Sequence, residues 1–290
     1  MLSIPLGPIA LPLAPVLLVA AAWLAGLLAR TLAQRLALRR GETLEASASH
    51  AEHAGRFLTQ ALAVSLLAAR LAHVGLNASA YAALPWAVLD LRDGGWMLPA
   101  GIAAGLVWIA VRARGDAALR MPLGAAASVG IGVYLLARAL LLPTADSSLP
   151  ALQELRLAAI DAGGGLGATV SLREAAAGRS AVVNLWASWC GPCRAEMPTF
   201  AQAQERHPEV AFIFVNQGEP AATVARYRQT LQPPLAQVLL DPERRLGAAL
   251  GSRGLPTTIF IDADGRMLEA HFGPLNAAAL EAAVRRLGQR

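Results

Sequence analysis

Four stretches in the first half of the chain approach the length that carries a helix across a bilayer: Ile9–Ala29, Phe57–Leu76, Gly94–Val111 and Met121–Leu142. About 20 apolar residues are needed, because each adds 1.5 Å to a core of about 30 Å and no backbone polar group can be left unpaired in lipid. The third stretch is the shortest and carries Pro99. A helical domain buried in water would need charged outer faces, which these segments lack. Hydrophobic residues make up 55% of the 290 positions and charged residues 16%, against about 25% charged in ordinary soluble domains. That balance excludes a disordered, a collagen-like or a charge-laced coiled-coil chain.

The arginines set the expected orientation. All 25 basic residues are arginine and the net charge is +5. They are scattered, and aromatics reach only 5%, so the charge does not form a nucleic-acid surface. Arg30, Arg35, Arg39, Arg40 and Arg56 fall in the first link between spans, and Arg112, Arg114 and Arg120 in the third. The middle link has Arg92 between Asp90 and Asp93. By the positive-inside rule the first and third links are cytoplasmic. Four crossings then put Met1, the middle link and everything after Leu142 outside, in the periplasm of a bacterium. Nothing basic precedes Arg30, which speaks against a cleaved signal peptide. Arg70, His73 and Arg138 lie inside apolar spans, at an insertion cost of about 2.5–3.5 kcal/mol per charge. Arg138 fits snorkelling to the interface. Arg70 and His73 share one helical face, read as structural or as a polar group held between helices.

The expected organisation is a four-helix transmembrane domain over 1–142, a linker over 143–150 with a proline at each end, and an α/β domain over 151–290. The chain has two cysteines, which excludes a disulfide-stapled scaffold. They stand in Trp189-Cys190-Gly191-Pro192-Cys193, between the apolar run Ala181–Trp186, read as a buried strand, and a helical segment from Arg194. A Cys-x-x-Cys pair at such a junction places its first sulfur at a helix N-terminus, where unpaired N–H groups and the dipole favour an anion. That makes Cys190 the attacking thiolate and Cys193 the resolving thiol. Zinc needs four ligands; one cysteine pair and five dispersed histidines do not supply them, and no metal or cofactor is expected. A purely structural disulfide would close too small a loop to contribute much.

The second domain resembles the thioredoxin fold, a central mixed sheet flanked by helices. It is most like the membrane-anchored TlpA/ResA-like branch of thiol-disulfide oxidoreductases. Cys193-Arg194-Ala195-Glu196-Met197-Pro198 resembles that branch after its active site, with Pro198 expected to kink the helix. Gly254-Leu255-Pro256-Thr257-Thr258 resembles the family's cis-proline loop. Pro256 is therefore expected cis and beside the sulfurs, and Trp189, Leu255 and Pro256 are the expected substrate-binding residues. Asp262-Ala263-Asp264-Gly265 reads as a hairpin turn. Thioredoxin carries a buried Asp where this chain has Asn184, and an amide cannot take the proton of the second thiol. Asn216-Gln217-Gly218-Glu219 resembles the branch's Asn-x-Gly-Glu, which makes Glu219 the expected proton acceptor for Cys193; the competing reading is that Glu219 opens the following helix. Trp186 is read as core.

Weaker likenesses appear in the first half. Ala69-Arg70-Leu71-Ala72-His73-Val74 and Asp93-Gly94-Gly95-Trp96-Met97 resemble part of prolipoprotein diacylglyceryl transferase. The transferase's following His-Gly-Gly stretch is replaced by Pro99-Ala100-Gly101, so an anchoring or binding module is expected in place of a working lipid transferase. The resemblances together imply a periplasm-facing oxidoreductase of the bacterial inner membrane, reducing protein disulfides by exchange at Cys190 and Cys193. Apocytochrome c thiols before haem attachment are one client class that they imply. A disulfide oxidase or isomerase direction, or a lipid-modifying enzyme, are the alternatives. With no second cysteine pair in the chain, the expected partners are client disulfides and a separate membrane dithiol reductant of the DsbD or CcdA kind.

Overall fold

The computed structural model describes residues 3–6, 9–82, 84–90, 94–141, 154–161, 163–252 and 254–288. The expected linker 143–150, and Arg92 and Asp93 of the middle link, lie outside the described residues. The chain divides into two compact units: Leu13–Leu76 with Gly95–Pro143, and Met1–Pro12 with Asn77–Gly94 and Thr144–Arg290.

The first unit is helical: α1 Leu13–Arg39, α2 Leu44–Leu76, α4 Leu98–Gly115 and α5 Ala117–Leu141. Three segments, Val16–Arg39, Leu44–Leu76 and Ala117–Leu141, are long and apolar enough to cross a membrane by length and composition. The third expected span corresponds to α4, which has 18 residues with Pro99 in its first turn and two arginines in its last. The first expected span starts later than its hydrophobicity suggested. Ile9–Pro12 is a strand paired with Ser3–Leu6, and helix begins at Leu13. Proline at 8 and 12 removes N–H donors that a helix interior needs, whereas Pro15 falls in a first turn, where the missing donor costs nothing.

The helices pack through small residues. Ala21, Ala25, Ala29, Ala33 and Ala37 form a buried stripe at four-residue spacing on α1, while Val19, Trp23, Leu24 and Leu27 face outward. On α4, Gly101 lies against α2 so closely that a Cβ there would come 2.8 Å from the Ser65 carbonyl oxygen. Backbone approach through small residues, with large apolar side chains turned outward, is how helices associate in lipid. Arg70 is buried and its Nη1 donates to the Gly95 carbonyl at 3.0 Å. The Met97 amide donates to the Ala69 carbonyl at 3.0 Å. Arg70 thus ties the end of α2 to the segment leading into α4.

The second unit is built on a seven-stranded mixed sheet. Its strands are β3 Arg156–Ile160, β4 Leu166–Ser171, β5 Ala181–Trp186, β6 Ala211–Gln217, β7 Gln237–Asp241, β8 Thr257–Ile261 and β9 Met267–Phe272. The order is β4-β3-β7-β6-β5-β8-β9. The central trio β5, β6 and β7 is parallel, and β8 and β9 add antiparallel beside β5. Strands β5 and β6 are apolar almost without a break because both their faces are covered. With period two, Val182, Trp186, Phe212 and Phe214 enter one core with Met197, Phe200, Leu280 and Val284. Val183, Leu185, Ile213 and Val215 enter the other with Leu172 and Leu246. The first core lies under α7 Gly191–Arg206 and α10 Ala277–Gly288; the second under α6 Leu172–Ala176 and α9 Arg245–Ala249. Helix α8 Ala221–Arg228 follows β6.

The middle link belongs to this unit. Its short helix α3 Ala78–Ala82 lies against α10. The Arg285 guanidinium donates to the Ser79 hydroxyl, and Asn276 Nδ2 donates to Asp90 Oδ2 at 3.3 Å.

Candidate active site

The sheet delivers the two cysteines to a helix N-terminus. β5 ends at Trp186, and Cys190 is the N-cap residue of α7. Cys190 and Cys193 are joined as a disulfide. The Cys193 amide donates to Cys190 Sγ at 3.2 Å, so this sulfur stands in for the oxygen that usually caps a helix. An N–H donor and the helix dipole both favour negative charge on that atom. Cys190 is 5% exposed and Cys193 is fully buried. Of the two, Cys190 keeps the residual exposure. Trp189 is 62% exposed and offers an apolar plate next to it. Helix α7 runs on through Pro198 to Arg206.

Leu255 and Pro256 are joined by a cis peptide bond just before β8. Pro256 is buried and Leu255 half-buried, packed against both cores. The Gly273 amide donates to the Pro256 carbonyl at 3.0 Å. Asp262–Gly265 turns β8 into β9, with the Gly265 amide donating to the Asp262 carbonyl at 2.9 Å.

Glu219 reaches the loop that carries the cysteines. Its Oε2 accepts from the Ser188 amide at 2.6 Å and from Asn216 Nδ2 at 2.6 Å, and its Oε1 accepts from the Ser188 hydroxyl at 2.5 Å. The Glu219 amide in turn donates to Asn216 Oδ1 at 3.2 Å. The Asn-x-Gly-Glu segment therefore fastens the end of β6 to the residue two places before Cys190. Helix α8 is capped at Pro220. Replacing Glu219 with Ala would leave the Ser188 amide and Asn216 Nδ2 without their acceptor. The expected loss is about 1–3 kcal/mol of stability, read as a lowered Tm of the full chain. An unchanged Tm would remove Glu219 as the fastening of this loop.

A second carboxyl, not picked out by the sequence reading as an acid, lies beneath the site. Glu196 is on α7 three residues after Cys193, on the same helical face, and is 3% exposed. Asn184 Nδ2 donates to its Oε1 at 2.9 Å, and the Leu275 amide donates to its Oε2 at 2.8 Å. Burial pushes its pKa from 4.5 up to about 7, against the lowering effect of the two hydrogen bonds. Asn184 Nδ2 also donates to Thr258 Oγ1 at 2.9 Å. The amide found where an Asp was looked for thus orients a glutamate one helix away. The signal was present in the sequence. A glutamate inside Cys-Arg-Ala-Glu-Met-Pro, on the buried face of an amphipathic helix, has to be neutral or paired.

Trp186 is fully buried and packs against Tyr227 with ring centroids 5.1 Å apart. Among the described residues no group of three or more His, Cys, Asp or Glu side chains could hold a metal ion.

A seven-stranded mixed sheet with a bonded Cys-x-x-Cys pair at a helix N-terminus and a cis-proline before the next strand is a thioredoxin-like arrangement. Residues 144–284 match the Redoxin family. The chain is 36% identical over 94 residues to the thiol:disulfide interchange protein DsbE homolog of Paracoccus denitrificans, covering 32% of this chain and 51% of that one. It is 34% identical over 119 residues to the thiol-disulfide oxidoreductase ResA of Halalkalibacterium halodurans, covering 40% and 65%. To the thiol:disulfide interchange protein DsbE of Escherichia coli it is 30% identical over 113 residues, covering 39% and 60%. The chain thus spans between 51% and 65% of the length of these curated relatives. A solved structure of a thioredoxin-family thiol:disulfide interchange protein from Chlorobium tepidum covers 46% of this chain and 92% of its own, at 27% identity and a TM-score of 0.39. Residues 144–284 are thus similar to the Redoxin family, and the chain is similar to DsbE and ResA proteins over part of its length.

Proposed function

We propose that the chain is a membrane-tethered reductase of protein disulfides, acting on the periplasmic side of a bacterial inner membrane. The observation that carries this is the pairing of one sulfur that keeps residual exposure, capped by a helix N–H, with one fully buried sulfur a helical turn deeper. In the dithiol state, the Cys190 thiolate attacks one sulfur of a client disulfide. A Cys190–client S–S bond forms and the other client sulfur leaves as a thiolate, which takes up a proton. Cys193 then loses its proton and attacks Cys190. The client's second sulfur departs with the electron pair, leaving a client dithiol and the Cys190–Cys193 disulfide. Glu196, buried on the face of α7 that carries Cys193, is the group we assign to take the Cys193 proton. Glu219 positions the Ser188–Cys190 loop. Glu219 as proton acceptor is the competing assignment: measured thiol pKa values that move in Glu219→Gln and not in Glu196→Gln would favour it. Trp189, Leu255 and Pro256 form the client-binding surface.

The reducing equivalents come from a separate membrane dithiol reductant, because both cysteines of the chain are in this site. Client thiols of an apocytochrome c awaiting haem are one substrate class consistent with the reading. A reduction potential of the full chain near the −270 mV of thioredoxin, roughly, is the expected measurement; a value near about −120 mV would assign an oxidase.

The clustering of the N-terminal hairpin, the middle link and the cysteine-bearing domain in one unit supports four crossings. The chain leaves this unit after Gly94 and returns after Pro143, as it would if α4 and α5 crossed as a pair. Alkaline phosphatase fused after Arg290 should therefore be active, and the same enzyme inserted at Gly41 inactive. Activity at Gly41 with none after Arg290 would reverse the topology.

A further inference from the structure

Between α1 and α2 lies a cleft of about 500 Å³ lined by Arg30, Ala51, Glu52, Arg56 and Thr59. Arg30 stands where the apolar run of α1 gives way to Arg-rich sequence, and Arg56 stands just before the apolar run of α2 begins at Phe57. The two guanidiniums thus sit at the same ends of their spans. Arg30 lies across Gly55 of α2, where a Cβ would overlap its Nε; the glycine is what admits the side chain. Arg30, Glu52 and Arg56 are exposed side chains. Among the described residues neither arginine has an ion-pair partner, although Glu52 is one helical turn from Arg56. The Thr59 hydroxyl donates to the Gly55 carbonyl at 3.0 Å, which leaves its oxygen free to accept.

We infer that this cleft binds the headgroup of a glycerophospholipid from the cytoplasmic leaflet. Two guanidiniums at the interface match the oxygens of a phosphodiester in paired, charge-assisted hydrogen bonds. Basic pockets between membrane helices on the cytoplasmic side are suited to lipid headgroups. Glu52 adds a requirement, because a carboxylate on the same wall favours a headgroup that carries a donor beyond its phosphate. The ethanolamine ammonium meets it, with Thr59 as a further acceptor. The inference rests on α1 and α2 spanning a membrane, which resistance of the full chain to alkaline extraction from membranes checks separately.

Native mass spectrometry of the full chain in detergent, titrated with phosphatidylethanolamine, tests the site. The wild type should hold one lipid tightly, and the Arg30→Gln/Arg56→Gln double variant should hold it at least tenfold more weakly. Glu52→Gln, a conservative change at an exposed position, keeps the fold in hand. It should weaken phosphatidylethanolamine about fivefold and leave phosphatidylmethanol, which lacks the ammonium, unchanged. Wild-type affinity in the double variant, or equal effects of Glu52→Gln on both lipids, would overturn the site. Displacement of the lipid by inorganic phosphate at equal concentration would overturn the assignment to a lipid headgroup.

Discussion

The Cys193→Ala variant is expected to accumulate as a covalent mixed disulfide with its clients, and Cys190→Ser to form none. Without the second thiol, the bond between Cys190 and the client has no resolving nucleophile inside the protein, and its lifetime is set by external thiols. Turnover with a disulfide-bonded protein such as insulin should fall by on the order of a thousandfold or more in both variants. Only Cys193→Ala should show the adduct on a non-reducing gel. The asymmetry follows from burial: Cys190 keeps the residual exposure and is capped by an N–H, whereas Cys193 is enclosed by the core. Equal trapping by Cys190→Ala and Cys193→Ala would show that both sulfurs meet clients directly, and would remove the ordered mechanism.

Glu196→Gln is expected to abolish a pH dependence centred near neutrality. In the folded chain the Glu196 carboxyl titrates at about 7, against 4.5 for the ordinary group. Between those values the folded state keeps a proton that the unfolded chain releases. Stability therefore falls as pH rises from about 4.5 to about 7 and levels off above. The shift corresponds to a penalty of up to about 3 kcal/mol at pH 8 relative to pH 4. The Gln side chain cannot ionise, so denaturant unfolding of the variant should lose that slope, apart from a constant offset of about 1 kcal/mol for the acceptor it gives up. In the same pH range, resolution of the mixed disulfide by Cys193 should slow about tenfold and lose its inflection near pH 7. Parallel stability curves for wild type and variant would show that this carboxyl does not titrate where burial places it.

The pattern of residues carried much of the domain architecture. Ala181–Trp186 reads as a buried strand because both its faces are covered, and the residues after Cys193 read as a helix because their apolar positions recur at helical spacing. The cis bond before Pro256 lies where the resemblance to the thioredoxin family implies it, and the turn at Asp262–Gly265 lies where glycine acts on its own backbone. The start of α1 was less legible. Hydropathy alone extends the first span back to Ile9, but backbone N–H accounting at the prolines delays the helix to Leu13. Glu196 illustrates the other limit. Its neighbours in sequence show a helix, while its partners, Asn184 twelve positions earlier and Leu275 seventy-nine later, meet it only through the sheet and a distant loop. Likewise, nothing in Asn216–Glu219 announces that its carboxylate closes on Ser188.

Local sequence suffices for the apolar helices, for the strand-to-helix placement of Cys190 and Cys193, and so for the chemistry available to the pair. These depend on local periodicity, on helix-end electrostatics and on the cost of placing charge in lipid, all of which act over a few residues. Only the assembled fold shows which carboxyl is buried on the helix that carries Cys193, which one fastens the cysteine loop, and that the middle link shares a unit with the cysteine-bearing domain. A pKa or a docking contact is set by groups brought together from distant parts of the chain, and their desolvation and hydrogen bonds exist only once the sheet has assembled.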